Sequence, residues 1–284
     1  MTSAFVRPRR GLWYALAALV VVVTVAVSGT SVVTWLVEQH ASHTTPYANS
    51  NVRTVKVDAP SASIRVVAGQ DGTASVTENL SWVTSKPVVD QTLDPASGTL
   101  KIAVRCDSPE KFLGGGGCGA QLDIQVPAAA SVLSQSDSGS TTITGLSGSV
   151  DVETSSGAIH LNNLSGEVRA QASSGEITGD SLQSAQVSAV AFSGAVSLDF
   201  AKPPTQVTAK VTSGAINLSL PRGSQYRITA STYSGGDPAI DQGLAVTSPP
   251  SAPSAPGATP APTSASSGSI TATATSGAID IHYR

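Results

Sequence analysis

Aromatic side chains are scarce in this chain: they make up 4% of its 284 residues, and a single Met accompanies them. A core centred on Trp and Phe is therefore excluded, and the 40% hydrophobic content must be packed from Val, Ile, Leu and Ala. Branching at Cβ suits a pleated strand and costs rotamer freedom in a helix, so this composition favours an all-β domain. Charge is also sparse, at 12% with a formal net of −3. No basic patch with interleaved aromatics occurs, which leaves nucleic-acid binding without electrostatic footing. The two cysteines are not in a C-x-x-C pair, and His40, His43, His160 and His282 are scattered without ligand spacing, so no zinc centre or other cofactor site is legible.

What the N-terminus has is a long uncharged run, GLWYALAALVVVVTVAVSGTSVVTWLV, from Gly11 to Val37. It exceeds the ~20 residues that cross a bilayer as a helix. Trp13 and Trp35 lie about 33 Å apart along such a helix at ~1.5 Å per residue, one at each interface. Arg7, Arg9 and Arg10 precede the run, and no Lys or Arg occurs from Glu38 through Val52. The positive-inside rule then makes residues 1–10 cytoplasmic, 11–37 a transmembrane helix flanked by Arg9 and Arg10, and everything beyond extracytoplasmic. The competing reading is a cleaved secretory signal, whose apolar region is usually only ~7–15 residues and whose cleavage site would have to be AVSGTS. Both readings export the remainder from the cell, the first as a single-pass plasma-membrane protein.

Export gives Cys106 and Cys118 a simple role. They bracket DSPEKFLGGGG, whose glycines let the backbone turn back, and in an oxidising compartment such a pair is expected as a disulfide. Closing so short a loop is worth roughly 2–3 kcal/mol in the chain-entropy model.

The domain itself, residues 52–284, is organised by a repeat. Ser-Gly pairs begin at 138, 147, 156, 165 and 174, then recur at 193, 213, 234, 267 and 276, with a degenerate Ser184-Ala185 between. Segments starting at Ser138, Ser156 and Ser174 end in Leu146, Leu164 and Leu182, whereas those starting at Ser147 and Ser165 carry Val150 and Val152, or Val168 and Ala170. The unit is thus 18 residues with two unlike halves, loosening to 19, 20 and 21 farther along. In SGAIHL, SGEVRA, SGAVSL, SGAINL and SGAIDI, apolar residues alternate with a mostly polar one, the period of a strand with one buried face. Stacked in order, such coils would pair each strand with its equivalent one coil later, and from Ser138 to Ser234 they make five intervals. The fold predicted is a single-stranded-type β-solenoid, or β-helix, of 18–21-residue coils behind one N-terminal transmembrane helix. A β-sandwich with look-alike hairpins is the alternative, though it need not keep both half-repeat and alternation.

Less regular alternation predicts strands near 52–57, 63–67, 74–80, 99–105 and 121–126, which would cap one end of the stack. EQHASHTTPYANSN, residues 38–51, reads as a polar tether. Residues 237–266 read as a Pro/Ser/Ala-rich insert without sheet structure, with six prolines between Pro249 and Pro262.

The run LDIQVPAAASVLSQSDSGSTTITGLSGSVDVETSSGAIHL, preceded by DAPSASIRVVAGQDGTASVTENL, resembles the bacterial putative-adhesin domain of unknown function built from β-strand repeats. The resemblance reaches from about Val52 to the C-terminus, apart from the Pro-rich insert. It implies a membrane-anchored repeat domain outside the cell and brings no catalytic motif. Similar domains occur in envelope-stress response proteins.

Chemistry has little to build on. Asp151, Glu153, Glu167, Arg169 and Glu176 occupy polar positions of successive coils, and Asp151 and Arg169, 18 residues apart, are placed for a cross-strand ion pair. Ser156, His160 and Asp151 form a triad only on paper, because four strand positions span roughly 13 Å. The glycines at 114–117 lack the Lys-Ser/Thr of a phosphate loop. The sequence therefore points to a non-enzymatic binding, adhesion or envelope-structural module, with wall polymer or an envelope protein as partner class. The alternative is an envelope-stress sensor that signals through its membrane helix to a partner.

Overall fold

The computed structural model describes Val20 and residues 39–47, 51–69, 73–83, 85–106, 118–223, 225–241, 244 and 268–284. Among them no helix is long and apolar enough to cross a membrane. The predicted span, with Arg9, Arg10, Trp13 and Trp35, lies outside the described residues except for helical Val20.

The fold is all-β, as the composition requires, and its strands join into one continuous sheet. In chain order the first seven are β1 (Gln39–Tyr47), β2 (Thr54–Asp58), β3 (Ala62–Ala68), β4 (Ala74–Trp82), β5 (Val88–Asp94), β6 (Thr99–Arg105) and β7 (Cys118–Val126). Then come β8 (Ser131–Ser138), β9 (Thr141–Thr144), β10 (Val150–Ser156), β11 (Ile159–Asn162), β12 (Val168–Leu182), β13 (Gln186–Phe200) and β14 (Gln206–Leu220). The last three are β15 (Tyr226–Ser234), β16 (Ala239–Ile240) and β17 (Gly268–Tyr283).

From β8 to β14 chain order and spatial order agree. Val132, Val150, Val168, Val187 and Val207 pair in parallel, each with its equivalent one coil later, at offsets of 18, 18, 19 and 20 residues. All five are buried, and each contributes about 1.5–3 kcal/mol relative to exposure. A second column runs Ile159, Ile177, Val196 and Ile216, and a third Leu146, Leu164, Leu182, Phe200 and Leu220. One coil cannot bury its own apolar face. Neighbours at a spacing of about 4.8 Å do so for it.

The Ser-Gly pairs are the corners between the two halves of each coil, and stacking dictates the glycine. A Cβ on Gly214, whose φ is +143°, would sit 1.6 Å from the carbonyl oxygen of Gly194, directly below it in the stack. The same collision recurs at Gly194 against Gly175 and at Gly175 against Gly157, at 1.8 and 1.9 Å. Successive backbones approach too closely here for any side chain.

At both ends the order breaks. The coil β2/β3 lies between β6/β7 and β8/β9: Val55 pairs with Leu100 on one side and Val132 on the other. Correspondingly, Ile64 pairs with Leu122 and Thr141. Antiparallel strands close this end, β5 along β6 on one half and β4 then β1 along β7 on the other. Tyr47 Oη donates to Gln91 Oε1 at 2.7 Å, and Gln91 Nε2 donates to Glu78 Oε1, tying β1, β5 and β4 together across the end of the stack. Burial, helped by the Glu78 carboxylate, raises the Tyr47 phenol above its ordinary pKa.

At the other end β17 is inserted. Ser276 pairs with Ser213 on one side and Ser234 on the other, and Ile281 also pairs with Ile240 of β16. The step from Ser213 to Ser234 therefore crosses two layers, which corrects the five-interval reading: Ser138 to Ser213 makes four adjacent steps, and β14 and β15 each pair with the β17 between them.

Two further boundaries change. Residues 39–47 of the expected tether form β1 along β4, from Gln39 against Trp82 to Tyr47 against Ala74. The expected insert loses its first residues to β16, and Leu244 is buried.

Candidate binding surface

The outward side chains form columns as regular as those inside. On the first half of the coils one column reads Leu133, Asp151, Arg169, Ser188, Thr208, Thr271 and Thr229. It is charged near β10 and β12 and carries only hydroxyls from β13 to β15. Asp151 stands opposite Arg169 as the spacing predicts, but the guanidinium closes at 2.5 Å on Glu167, at the edge of its own strand. The cross-strand ion pair is replaced by a local one, because Glu167 lies two residues before Arg169 on the same strand face.

The corner itself makes an exposed ridge. Its serines, from Ser138 through Ser156, Ser174, Ser193 and Ser213 to Ser276 and Ser234, are stacked in register and exposed. The residue before each serine runs Asp137, Ser155, Ser173, Phe192, Thr212, Thr275 and Tyr233. Phe192 is 66% and Tyr233 91% exposed, in a chain that otherwise uses few aromatics. They stand three layers apart, about 14 Å, with only Thr212 and Thr275 between them in the column. Sequence reasoning passed over both. The signal available was position: an aromatic directly before Ser-Gly, where neighbouring coils carry serine.

The acidic residues converge only loosely. Asp58, Asp137 and Glu153 line a cleft of about 210 Å³ with Gln135 and Ser155. Each of the last two bonds within its own layer step, Gln135 to Glu153 and Ser155 to Asp137, both at 3.5 Å. Glu176 lies on the other side of a corner and takes a hydrogen bond from Thr178. Among the described residues no three His, Cys, Asp or Glu side chains are grouped to hold a metal. His160 sits in β11 between Thr142 and Thr178, while Ser156 ends β10 between Ser138 and Ser174, so the paper triad is divided by a corner. A shallow groove of about 540 Å³ runs over β1, β4 and β7, lined by His40, Ser42, Asn79, Ser81 and Gln121 among others.

Cys106 follows β6 and Cys118 opens β7, so the pair brackets the corner of one layer. The segment 107–117 between them lies outside the described residues, and among the described residues no cysteine is free.

Residues 134–244 match the family described as Toastrack DUF4097. This stretch is similar to the Toastrack family. The match begins within β8 and ends at Leu244, so it takes in the regular coils and the β15/β16 layer and leaves out the N-terminal cap and β17. No curated protein matches the chain. Among solved structures, a putative adhesin from Parabacteroides distasonis is 12% identical with a TM-score of 0.47, over 86% of this chain and 97% of that one. A putative adhesin from Bacteroides fragilis, also 12% identical over the same shares, has a TM-score of 0.44. A putative cell adhesion protein from Clostridium sporogenes is 10% identical with a TM-score of 0.38, over 87% of this chain and all of that one.

Proposed function

We propose that the chain is a membrane-anchored, extracytoplasmic β-solenoid that acts without catalysis, binding a wall polymer or envelope surface along its outer corner ridge. The observation that carries this is the ridge itself. Regular stacking converts each solvent-facing position into a straight column, and from β13 to β15 the columns offer hydroxyls and two exposed aromatics in place of convergent acids or bases. Exposed aromatics on a polar, rigid surface supply contact area at low entropic cost.

Retention of the exported part on isolated cell wall tests the reading. The Phe192→Ala, Tyr233→Ala double variant should lose most of its retention while keeping its melting temperature, and undiminished retention would remove the ridge from the account. Replacing residues 1–37 by an unrelated anchor should leave adhesion intact, whereas a sensor that signals through its helix would fail. The proposed Cys106–Cys118 bridge should leave exported protein with no titratable thiol until it is reduced.

A further inference from the structure

The outward face of the first coil halves changes its charge along the stack. Near β10 and β12 it carries Asp151, Glu153, Glu167 and Arg169, and the cation among them is closed on Glu167. From β13 to β15 the same face holds no carboxylate, and its only charges are Lys210 and Arg227. In a chain of formal net −3, this is where an acidic partner meets the least repulsion.

The two cations differ in place. Arg227 opens β15 at the margin of the face away from the corner, whereas Lys210 stands one column behind the ridge. In its ladder Lys210 lies between Val190 and Thr273, and along its strand Thr208 and Thr212 flank it on this face. It is exposed, and among the described residues it joins no ion pair, so no acid beside it neutralises its charge. It is one layer and two residues from Phe192, about 8 Å, and two layers and two residues from Tyr233, about 12 Å. The ammonium thus falls between the two exposed aromatics.

Resting on the ridge as the binding surface, we propose that its ligand is an extended acidic polysaccharide laid along the stack axis, with sugar rings on Phe192 and Tyr233 and an acidic group on Lys210. The apolar face of a pyranose ring stacks on an aromatic side chain, and its hydroxyls meet Thr212, Thr275 and the corner serines between them. A chain of equatorially linked pyranoses advances by one ring length per sugar, close to the ~4.8 Å between layers, so successive sugars meet successive layers. Beyond the corner the flanking column is Ala195, Ala215 and Ala278, small side chains that leave the ridge open to a long chain. A neutral glycan makes no use of Lys210, and a polyanion without rings makes none of the aromatics.

Full-length chain in neutral detergent should be titrated calorimetrically with a hyaluronan hexasaccharide, a chitin hexasaccharide as its uncharged counterpart, and polyglutamate as an acidic chain without sugar rings. At low salt the acidic sugar should bind about fivefold more tightly than the neutral one, an advantage that fades as salt screens it. Lys210→Gln should remove that advantage and leave binding of the chitin hexasaccharide unchanged, and the Phe192→Ala, Tyr233→Ala double variant should lose both sugars. Lys202→Gln, an exposed cation in the connector after β13, should change neither. All these side chains are exposed, so the variants should keep the wild-type melting temperature. Equal affinity for the two sugars, or an undiminished preference in Lys210→Gln, overturns the acidic specificity and leaves the ridge as a binding surface. Polyglutamate binding as tight as that of the acidic sugar, surviving loss of the aromatics, reduces the site to charge and overturns the proposal as well. Binding of neither sugar also overturns it, and retention on isolated cell wall then decides separately whether the ridge binds at all.

Discussion

The middle of the molecule and its two ends obey different rules. From Ser138 to Ser213 each layer follows the previous one in sequence and in space, whereas β2/β3 and β17 are each inserted between two layers that are consecutive in the chain. In the middle, buried apolar columns and glycine positions that admit no Cβ enforce one and the same stacking order. At the ends, the domain's first and last segments gain a ladder on both sides, which keeps a frayed terminus from becoming an open edge.

The largest expected effect contrasts the glycines of these regions. Gly214→Ala puts a methyl where Gly194 carbonyl oxygen lies 1.6 Å away, and Gly236, on the terminal β15/β16 side, has nothing within 4 Å of its Cβ position. Thermal unfolding should show a loss of about 4 kcal/mol or more for Gly214→Ala and within about 0.5 kcal/mol for Gly236→Ala. Equal losses would mean that the corners are not stacked.

The seam between end and middle is the next place to probe. Layer β8/β9, on which β2/β3 docks, holds buried hydroxyls in apolar columns: Ser134 between Val57 and Val152, and Thr141 between Ile64 and Ile159. Neither Ser134 Oγ nor Thr141 Oγ1 has a hydrogen-bond partner, unlike Ser136, which donates to Thr154 at 3.2 Å. Ser134→Ala and Thr141→Val remove an unmet polar group and should each stabilise by about 1 kcal/mol in denaturant titrations.

The smallest effect lies in the turn between β5 and β6. Hydrogen bonds from the Ser97 hydroxyl and the Ala96 N–H hold the Asp94 carboxyl below its ordinary value. A depressed folded-state pKa means that the stabilisation is present above the unfolded value and is lost as pH falls through the folded one. The wild type should therefore lose slightly more melting temperature than Asp94→Asn on going from about pH 5 to below the usual aspartate range near 4. Parallel curves would show that the turn carries no such linkage.

The regular coils were legible because alternation and the glycine corners each impose a period, and both periods agree. The insertion of β17 was not. SGAINL and SGAIDI can stack on either neighbour, so sequence order suggested a spatial order that the long connector at 241–267 does not enforce. Strands β1 and β5 escaped notice for another reason. QHASHTTPY and VVDQTLD lie at the sheet edges and bury no side chain completely; β5 alternates only between exposed and half-buried positions, and Gln91 stands among its half-buried residues, so neither segment shows a clear apolar stripe in sequence. On the surface, the exposed serines at the corners were visible as spacing, but Phe192 and Tyr233 matter only once the layers bring them into one column.

The coil itself can be tested most directly by deletion. Removing residues 156–173 takes out one complete layer and joins Ser155 to Ser174, which then stacks on Ser138 in place of Ser156, and removing 156–164 takes out half of one. Circular dichroism with thermal melts should show the 18-residue deletion as a cooperatively folded β protein and the nine-residue deletion as unfolded or aggregated, because the halves would be out of register. Equal folding of the two deletions, or failure of both, would contradict the account.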